Sequence, residues 1–243
     1  MLVKLDNPLA FTRVVEIISD LVTEVRIKFN EYGMSIVAMD PANISMVIFK
    51  LPKSSFSQFE VLEEETLGIN LINLKQVLRR CSSSSSLVLE KKENFLALDI
   101  HDRIRRNFNL NLIEVEGEER EVPSSFEFVA KVEINSVDLV NSVDDCAIVA
   151  DACSFEIKSG KFIIEAKSLN SAMSEFSGDE AAIQAEDCKS KYSLEYLQKF
   201  MKGAKLCEKT NLSFAGDHPL RMDFKTPEME LSFILAPRVE TED

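Results

Sequence analysis

The feature that most constrains this chain is that the order of elements in its first half returns in its second. Residues 1–113 read as a strand, an amphipathic helix, a run of strands, a second helix and further strands, and residues 126–243 read the same way. The apolar periodicity predicts helices near Pro8–Asp20, Ile72–Arg80, Val137–Ala147 and Leu194–Met201. Strands are expected around them, among them Arg106–Ile113, Glu127–Ile134 and Ala172–Phe176. Laid over each other at an offset of about 122 residues, the halves place Leu74 on Tyr196, Leu78 on Phe200 and Arg80 on Lys202. A chain of 243 residues holds two lobes of about 120. At 45% hydrophobic content each lobe has the residues for a packed core, which excludes a disordered chain. The fold class is therefore α+β, with two similar domains at 1–113 and 126–243.

Residues 114–125 join them. With Leu112 and Ile113 before it, this stretch carries five glutamates, Arg120, Gly117 and Pro123, the composition of an extended, solvated linker. The five-serine loop Ser82–Ser86 carries no legible function.

Charge restricts what the protein can hold. Lys plus Arg is 28 against 41 Asp plus Glu, a net charge of −13, which argues against a simple basic nucleic-acid binder. A protein that is acidic overall and basic on one surface stays allowed. The cations do cluster. In the second helix, apolar Ile72, Leu74, Val77 and Leu78 leave Lys75 and Arg79 on one face, with Arg80 adjacent. In the fourth, inward Leu194, Leu197, Phe200 and Met201 leave Lys199, Lys202 and the trailing Lys205 outside. Either cluster alone reads as favourable charge at a helix C-terminus, worth about 1 kcal/mol or less per residue. Recurrence in both halves favours a surface that faces phosphates and reads no sequence.

Catalytic chemistry is hard to place. Neither His101 nor His218 sits in a recognisable motif, and no GxSxG, HExxH, P-loop or GxGxxG occurs. Seven glycines leave little material for a phosphate-cradling loop. Asp138, Asp144, Asp145 and Asp151 are dense enough to raise a metal-dependent enzyme as a rival, but a solvated helix face is the plainer account. The five cysteines lack zinc-ligand spacing and read as reduced, mostly buried thiols. No run approaches the ~20 apolar residues of a membrane span, and Met1–Asp6 is no signal peptide, so an intracellular protein is expected.

Several segments resemble the sliding clamps of the PCNA family, particularly the archaeal ones. Ala38-Met-Asp-Pro-Ala-Asn-Ile-Ser45 is similar to the segment after the family's first long strands. Leu67-Gly-Ile-Asn70 resembles its "GVN" entry to a helix, and Leu235-Ala-Pro-Arg-Val-Glu240 its near-terminal "LAPK/RxE". The acidic linker ending in Val122-Pro123 resembles its interdomain connecting loop. These stand in the family's order along almost the whole chain.

The resemblance implies helices on one side of curved antiparallel sheets and three subunits in a pseudo-sixfold ring, with edge strands near Arg106–Ile113 and Ala172–Phe176 pairing across subunits. It implies a DNA polymerase processivity factor with no catalysis, cofactor or metal of its own. The ring would encircle duplex DNA and tether DNA polymerase, flap endonuclease and DNA ligase through short peptides, after opening by an ATP-driven clamp loader. The cations facing DNA would be Arg13, Lys75, Arg79, Arg80, Lys199, Lys202 and Lys205. The peptide pocket would be Met39, Asn43, Ile44, Val122, Pro123, Pro219, Ile234, Ala236 and Pro237. Two positions depart from the pattern. Arg120 stands where many clamps have leucine, and the third helix has Asn141, Asp144 and Ile148 where the family often has basic residues. The location expected is cytoplasmic and nucleoid-associated for an archaeal chain, nuclear for a eukaryotic one. The alternatives are a subunit of a heterotrimeric or checkpoint-type clamp and a protein-only scaffold that never encircles DNA.

Overall fold

The structure is a computed structural model that describes residues 1–117, 122 and 126–238. It divides into two units. The first lobe is Met1–Pro41, Val47–Val122 and Pro227–Leu231, and the second is Ala42–Met46, Pro123–Thr226 and Ser232–Asp243.

The first half of the chain runs β1 (Leu2–Leu5), α1 (Leu9–Ile18), β2 (Glu24–Asn30), β3 (Gly33–Met39), β4 (Ser45–Pro52), β5 (Gln58–Glu60), β6 (Glu65–Asn70), α2 (Leu71–Leu78), β7 (Ser86–Lys91), β8 (Phe95–His101) and β9 (Arg105–Asn111). The second half runs β10 (Ala130–Asn135), α3 (Ser136–Val149), β11 (Ala152–Lys158), β12 (Lys161–Lys167), β13 (Ser171–Phe176), β14 (Ala181–Ala185), β15 (Cys188–Ser193), α4 (Leu194–Met201), β16 (Lys209–Phe214), β17 (Leu220–Lys225) and β18 (Glu230–Leu235). In the first half the strand orders are β5-β1-β7-β8-β9 and β4-β3-β2-β6. In the second they are β14-β10-β16-β17-β18 and β13-β12-β11-β15, the same orders with every strand number raised by nine. Neighbours pair antiparallel, as β1 does with β7, β2 with β6, and β11 with β15.

The repeat has no single offset. From Leu2 of β1 to Ala130 of β10 is 128 positions, from Leu71 of α2 to Leu194 of α4 is 123, and from Arg105 of β9 to Glu230 of β18 is 125. This corrects the alignment of the helices expected from sequence. Leu74 answers to Leu197 and Leu78 to Met201, all 5% exposed or less, so Arg79 answers to Lys202 and Arg80 to Gly203. The α2 face also turns by one residue: Leu71 is fully buried and Ile72 is 46% exposed, because Asn70 caps the helix by accepting the Asn73 N–H at 3.2 Å.

The two cores differ. That of the first lobe is largely aliphatic, with Val3, Val14, Val15, Ile18, Ile36 and Leu98 fully buried. That of the second gathers around Phe155, whose ring meets Phe162 and Tyr192 at 5.5 Å and Phe214 at 6.2 Å. Phe200 stacks on Phe233 at 4.3 Å nearby in the same lobe.

Some local expectations change. The strand expected from Glu127 starts at Ala130, since Phe126 and Phe128 pack on each other at 5.7 Å before the ladder begins. Of the cysteines, Cys146 and Cys153 are buried, while Cys81, Cys188 and Cys207 are half-buried. Burial still pushes the Cys81 thiol up to about 11, so it is not a thiolate at neutral pH.

Candidate functional site

In the first lobe α1 and α2 lie side by side. Phe11, Val14, Val15 and Ile18 of α1 face the core, which leaves Arg13 exposed. Leu71, Leu74, Val77 and Leu78 do the same in α2 and leave Lys75, Arg79 and Arg80 on the far side. Polar groups of the first helix and of the turn that follows it hold two of these cations. The Lys75 ammonium donates to Ser19 Oγ at 2.9 Å and lies 3.7 Å from Asp20 Oδ1, and the Arg79 guanidinium donates to Glu16 Oε1 at 2.6 Å. Arg13 and Arg80 are exposed. The patch is thus positive but partly neutralised, suited to weak, screened attraction for phosphates rather than a tight grip.

In the second lobe Lys199 donates to Glu195 Oε1 at 2.9 Å and sits 5.1 Å above the Tyr196 ring. Lys202 and Lys205 are exposed on the short 3-10 turn Lys202–Leu206. Gly203 between them is buried, and a Cβ there would lie 2.7 Å from the Phe224 ring. α3 has no basic residue. Its exposed positions are Val137, Asp138, Asn141, Asp144, Asp145 and Ile148, with Val137 64% and Ile148 81% exposed. Asp138 lies in the first turn, where the helix dipole favours a carboxylate. Asp151 lies beyond the helix, and its carboxylate takes the Arg238 guanidinium at 2.9 Å. Among the described residues no three His, Cys, Asp or Glu come close enough to hold a metal ion. No helix among them is long and apolar enough to cross a membrane.

The residues expected to form a peptide pocket fall in both lobes. Met39 and Val122 belong to the first and are half-buried, while Pro123 and Arg120 lie outside the described residues. In the second lobe Ile44 is 40% exposed, Ile234 is buried, and Pro219, Ala236 and Pro237 are half-buried. Asn43 takes the left-handed conformation at φ 55, which turns the chain into Ile44. The Ile44 carbonyl accepts the Ala236 N–H at 2.9 Å, so these two are brought together. Pro219 is placed by a buried side chain that the sequence did not single out. The Tyr192 hydroxyl donates to the His218 carbonyl at 2.9 Å, and Ser190 Oγ donates to the same oxygen at 3.3 Å.

The two edge strands β6 and β15 each receive the segment that follows the last strand of their lobe. The Gly68 carbonyl of β6 accepts the Ile113 N–H at 3.0 Å, and the Lys191 carbonyl of β15 accepts the Arg238 N–H at 2.7 Å. In the first lobe Arg26 adds to this: its guanidinium donates to the carbonyls of Val115 and Gly117, the latter at 2.6 Å. In the second, the Arg238–Asp151 ion pair does so and holds the Asp151 carboxyl below its ordinary range. The clue to Arg26 was Gly68, a glycine inside a strand, which marks a close backbone approach.

The model for the N-terminal domain of proliferating cell nuclear antigen matches residues 1–119, and that for its C-terminal domain matches residues 127–239. The chain is 35% identical over 242 residues to DNA polymerase sliding clamp 1 of Thermococcus kodakarensis, covering 97% of each chain. It is 33% identical over 237 residues to the DNA polymerase sliding clamp of Pyrococcus furiosus, covering 95% of each. Its fold matches proliferating cellular nuclear antigen from Entamoeba histolytica with a TM-score of 0.91, at 24% identity and 98% coverage of both chains. A chain of the PCNA2–PCNA3 complex of Sulfolobus tokodaii matches with a TM-score of 0.89 at 26% identity, covering 99% of this chain and all of the other. With both lobes matched in order and archaeal relatives aligned end to end, the chain belongs to the proliferating cell nuclear antigen family.

Proposed function

We propose that this chain is a DNA polymerase processivity factor, a sliding clamp that encircles duplex DNA and tethers replication and repair enzymes to it. The observation that carries this reading is the end-to-end match to archaeal proteins named DNA polymerase sliding clamp, over both halves of the duplicated fold. In this reading the clamp catalyses nothing and acts in the cytoplasm on DNA. Residues 1–113 and 126–243 are its two domains, and 114–125 their connecting loop.

Arg13, Lys75, Arg79 and Arg80 of the first lobe and Lys199, Lys202 and Lys205 of the second are the proposed DNA-facing cations. The exposure of Arg13, Arg79, Arg80, Lys202 and Lys205 and the pairing of Lys75, Arg79 and Lys199 support a loose contact that lets the ring move, because each firmly held phosphate would resist sliding. The chain's net charge of −13 discourages DNA elsewhere on the surface. Partner peptides from polymerase, clamp loader, flap endonuclease and ligase would use Met39, Asn43, Ile44, Val122, Pro123, Pro219, Ile234, Ala236 and Pro237. Apolar residues of this kind suit an extended peptide with aromatic and aliphatic anchors.

Further copies of the chain would close the ring. β9 and β13 each stand at the end of their strand order, with one side unpaired among the described residues, and such edges call for a partner.

The test is topological. Loaded by a clamp loader, the protein should stay on nicked circular DNA and leave when the circle is linearised. Equal retention on both forms would reject encirclement. Sedimentation of the isolated chain should give about three times 27.4 kDa; a single-copy mass at working concentration would reject a ring of identical subunits.

A further inference from the structure

We infer that Arg26 is a positioning residue for partner binding: it fixes the point from which the connecting loop leaves the first lobe, and so tunes affinity for partner peptides without touching them. This rests on the proposed peptide surface and deepens it.

Arg26 and Gly68 stand opposite each other on β2 and β6, so they share one face of the sheet. Gly68 leaves that face open. A Cβ at 68 would fall 2.0 Å from the Ile113 carbonyl oxygen and 3.1 Å from Val115 Cγ2. The backbone therefore crosses where another residue's side chain would be. Four anchors hold it there. The Leu112 N–H donates to the Asn94 carbonyl at 3.0 Å and the Ile113 N–H to Gly68 at 3.0 Å. The Arg26 guanidinium then takes the carbonyls of Val115 and Gly117. Gly117 has φ +85, a conformation that suits glycine, and it presents its carbonyl to that guanidinium.

Without Arg26, the chain loses its holds at Val115 and Gly117 and keeps those at Leu112 and Ile113. Among the described residues, Glu114 to Gly117 would then keep no hydrogen bond to the sheet, so about four residues would be unanchored. A peptide that adds itself along the loop must then order those residues, an entropy cost subtracted from its affinity. Hydrogen bonds from a charged donor are the stronger kind, so this loss should be measurable.

The experiment compares Arg26→Ala, Arg26→Lys and a control, Lys4→Ala, with the unaltered protein. Lys4 lies on β1 of the same lobe and pairs with Asp6 at 2.8 Å. Three quantities are read. The first is the affinity for a synthetic fluorescein-labelled peptide with two aromatic anchors and one aliphatic anchor. The second is the rate at which a Glu-specific protease cuts after Glu114 and Glu116. The third is the melting temperature together with the subunit mass.

Arg26→Ala should weaken the peptide by about five- to tenfold and speed cleavage several-fold, with melting temperature and mass unchanged. Arg26→Lys, able to reach one carbonyl, should recover part of both, and Lys4→Ala should match the unaltered protein. Unchanged peptide affinity in Arg26→Ala would overturn the inference whatever cleavage does. So would a loss that comes with a lower melting temperature or mass, since that would mark a purely structural residue. If the unaltered protein binds no such peptide, the peptide surface itself fails and the inference with it. Faster cleavage in Arg26→Ala would then still show the anchor, which separates the two failures.

Discussion

The two lobes solve one problem with different chemistry. Each must hold the chain where it leaves the last strand, and each does so with a carbonyl on its edge strand, Gly68 on β6 and Lys191 on β15. The first lobe presses the segment onto the sheet so closely that only glycine fits, then clamps two carbonyls with Arg26. The second keeps a lysine at the matching place and adds an exposed ion pair between Arg238 and Asp151. The first arrangement is steric and partly buried, and the second is electrostatic and solvated. A repeated fold thus preserves the backbone contact while the side chains around it diverge.

The largest expected effect breaks this contrast directly. Gly68→Ala places a methyl 2.0 Å from a backbone oxygen that has no rotamer to move to. We expect it to cost about 1–3 kcal/mol in denaturant unfolding. Lys191→Ala, which keeps the accepting carbonyl, should stay within about 0.5 kcal/mol. Similar costs for the two would mean that the edges are equivalent after all.

A second contrast lies between the helices. Reversing Arg79 and Arg80 to glutamate should cut loader-dependent stimulation of a polymerase by about tenfold or more while leaving subunit mass intact. In α3, where no cation exists to lose, Asp144→Lys with Asp145→Lys should tighten binding and steepen its salt dependence. Unchanged stimulation in the α2 variant would remove α2 from the DNA-facing surface.

Smaller effects sharpen the picture. Tyr192→Phe removes the hydroxyl that holds the His218 carbonyl and should cost about 1 kcal/mol of stability, with a modest loss of peptide affinity through Pro219. A peptide titration beside a melt separates the two parts. The smallest effect is the pH response of the tail. Arg238 lowers the Asp151 pKa, so the pair's contribution is complete above the ordinary aspartate value of about 3.9 and fades only as pH falls through the lowered one. Amide exchange at Arg238 should be protected at neutral and mildly acid pH and speed up specifically only at strongly acid pH. The Arg26 clamp binds carbonyls, which do not titrate, and should show no such step.

Much of this was legible in the sequence, and the failures have reasons. α4 was placed at Leu194–Met201 because Leu194, Leu197, Phe200 and Met201 form a clean stripe that nothing else contests. α2 was placed one residue late because Ile72 looks as apolar as Leu71, and only the Asn70 cap decides between them. β5 and β14 went unseen. Gln58-Phe-Glu60 is short and polar, and Ala181-Ala-Ile-Gln-Ala185 is mostly alanine, which carries weak strand preference. Their existence follows from pairing with β1 and β10, a long-range fact. The cations were visible as a pattern. The carboxylates that restrain them were not, because Glu16 of α1 and Asp20 just after it reach α2 only once the helices pack.

Gly203 shows why the cations after α4 are placed differently from those after α2. It occupies the place that Arg80 holds in the first lobe, and the Phe224 ring lies against its bare backbone. Here the interior dictates the exterior: an aromatic wedge within the second lobe forbids any side chain at that point, and a cation is found two residues downstream at Lys205. Remodelling this surface to mirror its counterpart would have to begin by shrinking a ring beneath it.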